Sequence, residues 1–422
     1  MALALTSHTA VALTLEEAIQ QSSGSSHEIK QLRLQADSAQ LAETKAMAGF
    51  MPRLDFNAHH LFSEKFQELE IEFGGANFTM PAIQPYSSAD LTASVEIFGG
   101  FKTVNELEAA KLASAAEQHR LTRAELKLRA QIRTLFYRAL GSQVLVEVSE
   151  QNIHTLQSHM KDVLSRLRGG VSTKFDTLRV EVQLEEAQSE KISVENAAVV
   201  ARAQLFEAIG LEDDHRPLAG KLPENLAQYD ISKINLKDVR RDDRQALTLE
   251  TDEYAYLAKA AQAHWSPHVS LFGSREWYNN INHSIWESDQ RFKDAYSVGV
   301  ALKWNLFDGG ADLASQRQAA LAQQISDEKL KQLDQAIPVN LEEAQRRLSY
   351  DVINYQTKIV SIKKAEEAVR LARGALRAGT LTNTEVLDVV LDLNRAKAAA
   401  VKSQMDAIEA MGQLEMALGH QI

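Results

Sequence analysis

Arg168-Gly169-Gly170-Val171-Ser172-Thr173 and Arg377-Ala378-Gly379-Thr380-Leu381-Thr382 lie 209 residues apart, and that spacing decides how the chain is organised. At the same offset Ile97-Phe98-Gly99-Gly100 falls on Leu306-Phe307-Asp308-Gly309. Leu178 falls on Leu387, Val180 on Val389, Ala187 on Ala396, Leu205 on Leu414 and Gly210 on Gly419. The register therefore holds without a gap from Phe98 to Gly210. A fixed period of this kind marks a duplicated architecture. Upstream, Pro52 matches Pro267 at an offset of 215, so the first copy carries six more residues, where a surface loop is expected.

The segments flanking the glycine turns read as helices. No proline occurs between positions 86 and 216, and between Gly100 and Gly169 the only glycine is Gly141. A proline-free stretch of about 67 residues can run as one helix roughly 100 Å long, well beyond ordinary globular helices. The glycines then break it, and a second helix is expected from about 172 to 209. In the second copy Val386, Val389, Val390, Leu393, Ala396 and Ala400 form one apolar stripe of helical period. Pro338, whose first-copy counterpart is Arg129, predicts a bend or interruption in the second long helix.

Other segments alternate with period two. In residues 296–307, Tyr296, Val298, Val300, Leu302, Trp304 and Leu306 share one face, opposite Ser297, Gly299, Ala301, Lys303 and Asn305. Ala89, Leu91, Ala93, Val95 and Ile97 alternate with Asp90, Thr92, Ser94 and Glu96. Leu54, Phe56 and Ala58, and later Val269, Leu271 and Trp277, follow less cleanly. About ten residues is the length a tilted strand needs to cross an outer membrane. Phe62, Tyr86, Trp265, Trp277, Tyr278 and Trp304 suit the aromatic girdle of such a barrel. Soluble hairpins packed on a core alternate in the same way. Four membrane strands could not close a barrel, so the chain would have to oligomerise to remove its edges, and three copies would supply twelve.

Composition narrows the function classes. The 422 residues are 45% hydrophobic and 24% charged, and no run of eighteen apolar residues offers a membrane-spanning helix. The absence of cysteine removes disulfides, thiolate catalysis and cysteine zinc sites. A net charge of −11 argues against nucleic-acid binding. Residues 1–12 end in Ala10-Val11-Ala12, the pattern of a signal-peptide remnant without its basic start. Residues 13–212 and 234–422 then read as two repeats, each a helix, a strand pair and a long helical hairpin, joined by a linker at 213–233.

The order strand, loop, strand, Phe-Gly-Gly or Phe-Asp-Gly-Gly, long helix, Arg-x-Gly turn, long helix, repeated, resembles the TolC-like outer-membrane efflux protein family. The marks are Leu15-Glu16-Glu17-Ala18, Leu306-Phe307-Asp308-Gly309-Gly310, and Arg377-Ala378-Gly379-Thr380 with Glu385-Val386-Leu387-Asp388. The resemblance covers residues 13–419. It implies an α+β membrane protein, with helical hairpins building a periplasmic tunnel and four strands per chain contributing to a trimeric twelve-stranded outer-membrane β-barrel. It implies a homotrimer that meets a periplasmic adaptor (membrane fusion) protein and an inner-membrane transporter, the latter supplying the energy. The chain itself would be a passive exit channel for efflux or type I secretion, with no catalytic residue and no cofactor.

The resemblance also places residues. Arg168, Gly170, Arg377 and Gly379 fall at the periplasmic tips that meet the adaptor. The same glycines serve as ordinary left-handed helix ends, and the arginines as favourable charges at helix C-termini. Glu385 and Asp388 fall where family members carry carboxylates at the pore constriction. Three apart on a helix, they share a face, and threefold symmetry would make acidic rings that attract cations. First-turn acids also simply stabilise a helix N-terminus. In the first copy Asp176 matches Glu385, but Arg179 replaces the second acid. Leu381 stands where some members place an arginine, which puts a salt-bridge lock there in doubt.

No phosphate loop, nucleophile elbow or metalloprotease helix occurs. His59-His60 and His264 with His268 lack a third ligand at defined spacing, so no metal site is assigned. The alternative to a channel is a non-channel helical scaffold of the cell envelope.

Overall fold

The computed structural model describes residues 12–62, 68–81, 87–226, 234–279 and 292–422. Ala10 and Val11 of the cleavage pattern, Tyr86 of the aromatic set and positions 227–233 of the linker lie outside them. The chain divides into two compact units. One gathers the N-terminal residues up to Gln35 with Glu117–Ala246 and Leu330–Ile422. The other gathers Ala36–Ala116 and Leu247–Lys329.

Two short helices open the chain, α1 (Leu15–Ser25) and α2 (His27–Met47). The glycine turns then separate helices of matched length in the two copies. α3 (Lys102–Arg168) has 67 residues and α4 (Lys174–Ile209) has 36; after α5 (Asp242–Ala261), α6 (Ala311–Arg377) again has 67 and α7 (Asn383–Leu418) again has 36. α4 and α7 both stop at a left-handed glycine, Gly210 and Gly419, where a side chain would strain the backbone.

The first unit is held by an apolar core drawn from all four long helices. Ile132 and Phe136 of α3, Leu205 and Ile209 of α4, Leu348 of α6 and Leu414 and Leu418 of α7 are shut off from solvent, with Leu13 and Ala18 closing one side. Each such side chain contributes about 1.5–3 kcal/mol. Arg133 lies against this core and donates to the buried Glu415 carboxylate from both terminal guanidinium nitrogens, one of the two contacts at 2.9 Å. Leu13 and Pro217–Ala219 exchange two backbone hydrogen bonds of 2.9 and 2.8 Å, tying the start of the first repeat to the segment that follows it.

The second unit contains the sheet. β1 (Arg53–His60), β4 (Ser87–Phe98), β5 (His268–Asn279) and β6 (Lys293–Lys303) form an antiparallel sheet in the order β1-β4-β5-β6. Its register sorts the two faces. Phe56 opposes Leu91, Val95 opposes Leu271, which opposes Val300, and Val269 opposes Leu302. The other face pairs Asn57 with Asp90 and Ser274 with Ser297, both bridged by side-chain hydrogen bonds of 3.1 and 2.8 Å. Apolar side chains lie bare on the first of these faces: Phe56, Val298, Val300 and Leu302 are each about two-thirds or more exposed.

Three expectations change here. Pro338 does not interrupt α6, which is helical on both sides of it. The proline removes a single ladder bond, costing about 3 kcal/mol, and Ile337 and Leu341 are buried beside it and anchor both flanks. The longer first-copy connection is no plain loop: it carries a hairpin, β2 (Glu68–Phe73) and β3 (Ala76–Pro81), turned by Gly74 and Gly75 at positive φ. The alternation read through 307 also outlasts its strand, since β6 ends at Lys303 and Asp308 caps the next helix through the Asp312 N–H.

Candidate functional site at the helix turns

The two glycine turns are built alike. At the end of α3 the Gly170 N–H donates to Leu167 O and the Val171 N–H to Arg166 O; at the end of α6 the Gly379 N–H donates to Leu376 O and the Thr380 N–H to Ala375 O. This paired pattern satisfies carbonyls that a helix end leaves open. It requires a left-handed residue, and Gly170 and Gly379 have φ of 73° and 76°. Arg168 and Arg377 each fold back from the turn to a carbonyl four residues earlier, Leu164 O at 3.4 Å and Arg373 O at 3.3 Å.

The next helices start with the same device. Thr173 accepts from the Asp176 N–H while the Asp176 carboxylate accepts from the Thr173 N–H, and Thr382 and Glu385 repeat the exchange. These reciprocal bonds answer two otherwise open donors. The backbone N–H of Thr173 holds the Asp176 carboxyl below its ordinary range, and that of Thr382 does the same for Glu385. Glu385 and Asp176 are thus both cap residues. Asp388 is engaged differently: its Oδ1 accepts from Arg179 Nη2 at 3.2 Å, across from α4 to α7.

Further contacts join the two hairpins near their turns. Arg166 donates to Leu376 O at 3.3 and 3.4 Å, Asn383 Nδ2 donates to Ser172 Oγ at 3.0 Å, and Asn394 donates to Asn152. Leu387 of α7 packs into an apolar cluster with Leu156, Val163, Val180 and Ala187 of the first hairpin. Sequence reasoning named neither Arg166 nor Asn383, and it quoted Ser172 only as part of the first glycine turn. The signal for Arg179 was available, because opposite charges at equivalent repeat positions can pair wherever the copies face each other.

The histidine groupings are occupied by ordinary partners. His59 and His60 meet Ser88 and Ser87, His264 meets Asp312 at 3.2 Å and His268 meets Glu96 at 3.0 Å. Among the described residues no group of three or more metal-ligating side chains comes together, and no helix is long and apolar enough to cross a membrane.

With the geometry in place, the sequence profile of the family described as outer membrane efflux protein matches residues 18–211 and again 234–420. The chain belongs to the outer membrane efflux protein family. Its setting is the outer membrane and its task is export, and the family is one of transport proteins, not of enzymes. The scaffold alternative is thereby set aside. The chain is 22% identical to the outer membrane protein TolC of Vibrio cholerae, over 96% of this chain and 90% of that protein. It is 28% identical to the proteases secretion protein PrtF of Dickeya chrysanthemi, a match that takes in 52% of this chain and spans only 48% of PrtF. Crystal structures of CusC, described in terms of transmembrane channel formation, superpose with a TM-score of 0.79 at 15% identity, covering 97% of this chain and 93% of theirs. That likeness fixes the fold of this efflux protein: an α+β chain of long helices and a short antiparallel sheet.

Proposed function

We propose that three copies of this efflux protein close into one channel, a β-barrel in the outer membrane continued by a helical tunnel in the periplasm, through which cargo leaves passively. The observation that carries this reading is the sheet. Its apolar face is exposed while its opposite face is polar, the reverse of a soluble sheet and the arrangement a lipid-embedded barrel needs. Among the described residues both outer strands, β1 and β6, pair on one side only, and lipid tolerates no open edge. With four alternating strands per chain, β6 of one copy runs antiparallel to β1 of the next, so a ring of copies continues the same ladder without a mismatch.

On this reading the tips carrying Arg168, Gly170, Arg377 and Gly379 are the periplasmic ends that meet an adaptor protein, which links them to an inner-membrane transporter. Threefold repetition brings Glu385 and Asp388 together as acidic rings at the constriction, with Asp176 beside them. Arg179, already paired with Asp388, offsets part of that charge. The test is single-channel recording in a planar bilayer. The wild type is expected to form pores with cation preference, and Glu385→Gln combined with Asp388→Asn to lose that preference. Unchanged selectivity would leave Glu385 as a helix cap and Asp388 as the ion-pair partner of Arg179 alone.

A further inference from the structure

The junction between the two hairpins buries a histidine. His159 of α3 is 8% exposed, one turn from the fully buried Leu156 and Val163, and its Nε2 is shut off from solvent without a hydrogen-bond partner. It lines a groove of about 450 Å³ at the turns. Around it α3 supplies Asp162 and Arg166, α6 supplies Arg373 and Arg377, and α7 supplies the Asn383 backbone with Val386 and Val390. Three guanidinium groups thus face one carboxylate. A neutral ring is tolerated in such a place, whereas a charged ring is both desolvated and repelled.

The residues around His159 are also those that join the hairpins. Arg166 reaches across to Leu376 O, and Asn383 reaches Ser172. A positive charge added at His159 therefore acts on the contacts that hold α3 against α6 and α7.

We propose that His159 is an acid-sensitive latch: protonation of its buried ring loosens the junction between the hairpins and favours an open tip. The proposal rests on the reading of these turns as the constricted periplasmic end of the channel. Burial, with Arg373 and Arg166, holds the His159 pKa below its ordinary value, against the opposing pull of Asp162 and the Asn383 backbone. In an open tip the ring meets water and titrates near the usual value of about 6.5. Above that pH the ring is neutral in both states and the closed tip is unaffected. As pH falls through 6.5 only the open state takes up the proton, and the closed-to-open ratio drops by up to tenfold per pH unit until the lower, closed-state pKa is passed.

Three measurements on the full-length protein in detergent or bilayers test this. Histidine hydrogen–deuterium exchange read by mass spectrometry should place the His159 pKa below the ordinary histidine value of about 6.5. Open probability should rise from pH 7.5 to pH 5.5 in the wild type. His159→Gln should flatten that rise, and His159→Lys should give a tip that is open across the range. An ordinary His159 pKa, or the same pH response in wild type and His159→Gln, would overturn the proposal. If the wild type forms no pore, the channel reading fails instead. Amide exchange of the turn peptides then decides the latch: faster at pH 5.5 than at 7.5 in the wild type but not in His159→Gln supports it, and no difference contradicts it.

Discussion

Arg179 Nη2 stands 3.2 Å from Asp388 Oδ1, and the two residues occupy equivalent positions of the two repeats, 209 residues apart. The duplication has diverged here into a complementary pair, so that one copy's helix binds the other's at the point where both carry the same structural role. Both side chains are substantially exposed, which limits what the pair contributes to stability to about 0.2–1 kcal/mol. Its larger effect is on charge. Arg179→Ala is expected to leave the thermal midpoint nearly unchanged and to increase cation preference in single-channel recordings. A large loss of stability with unchanged selectivity would place Arg179 among the structural residues instead.

The helix starts should be sensitive to pH in a defined direction. Thr382→Ala removes a cap and should cost about 0.5–2 kcal/mol, as should Thr173→Ala. The Glu385 carboxyl is held below its ordinary range by the Thr382 N–H. A depressed carboxylate stabilises above its unfolded pKa, about 4.3, and loses that contribution as pH falls through the lower folded value. Thermal melts should therefore show Glu385→Gln destabilised at pH 7, with the difference shrinking below about pH 4.

The glycine turns offer a comparison within one motif. Gly170→Ala and Gly379→Ala force a side chain into left-handed backbone, costing about 1–2 kcal/mol each. Gly169 is not in that conformation, and its second-copy counterpart is Ala378. Gly169→Ala should be tolerated or slightly stabilising. Equal losses at Gly169 and Gly170 in thermal melts would contradict the turn geometry.

Among the described residues, Glu415 combines near-complete burial with a guanidinium partner, Arg133. Removing one member of a buried pair leaves the other uncompensated and costs about 3–5 kcal/mol. Glu415→Ala is expected to lower the thermal midpoint far more than Arg179→Ala does, and Arg133→Met with Glu415→Leu to recover much of the loss.

The long helices were legible because nothing in residues 102–168 or 174–209 opposes them and because the turns are written in glycine and threonine. Their second-copy lengths followed from the offset. The hairpin of β2 and β3 was missed although Gly74-Gly75 is a hairpin turn signal; its flanking strands are short and lie in the segment where the repeat loses its register. At Pro338 the interruption did not occur, because a local rule on one lost hydrogen bond leaves out the burial of Ile337 and Leu341 on either side. At the tips, Glu385 and Asp176 were visible as acids at the right spacing. Their capping boxes also carry a sequence signature, a threonine three residues before an acid at Thr173–Asp176 and Thr382–Glu385, which a reading of first-turn charge alone passes over. His159 carried no signal at all, since its burial comes from helices more than two hundred residues away in sequence.

The most direct test of the channel account is native mass spectrometry of the protein extracted by detergent from the outer-membrane fraction. The account predicts a particle of three chains, lost when substitutions on the outer edges of β1 or β6 block strand pairing. A monomer that is soluble without detergent would contradict it.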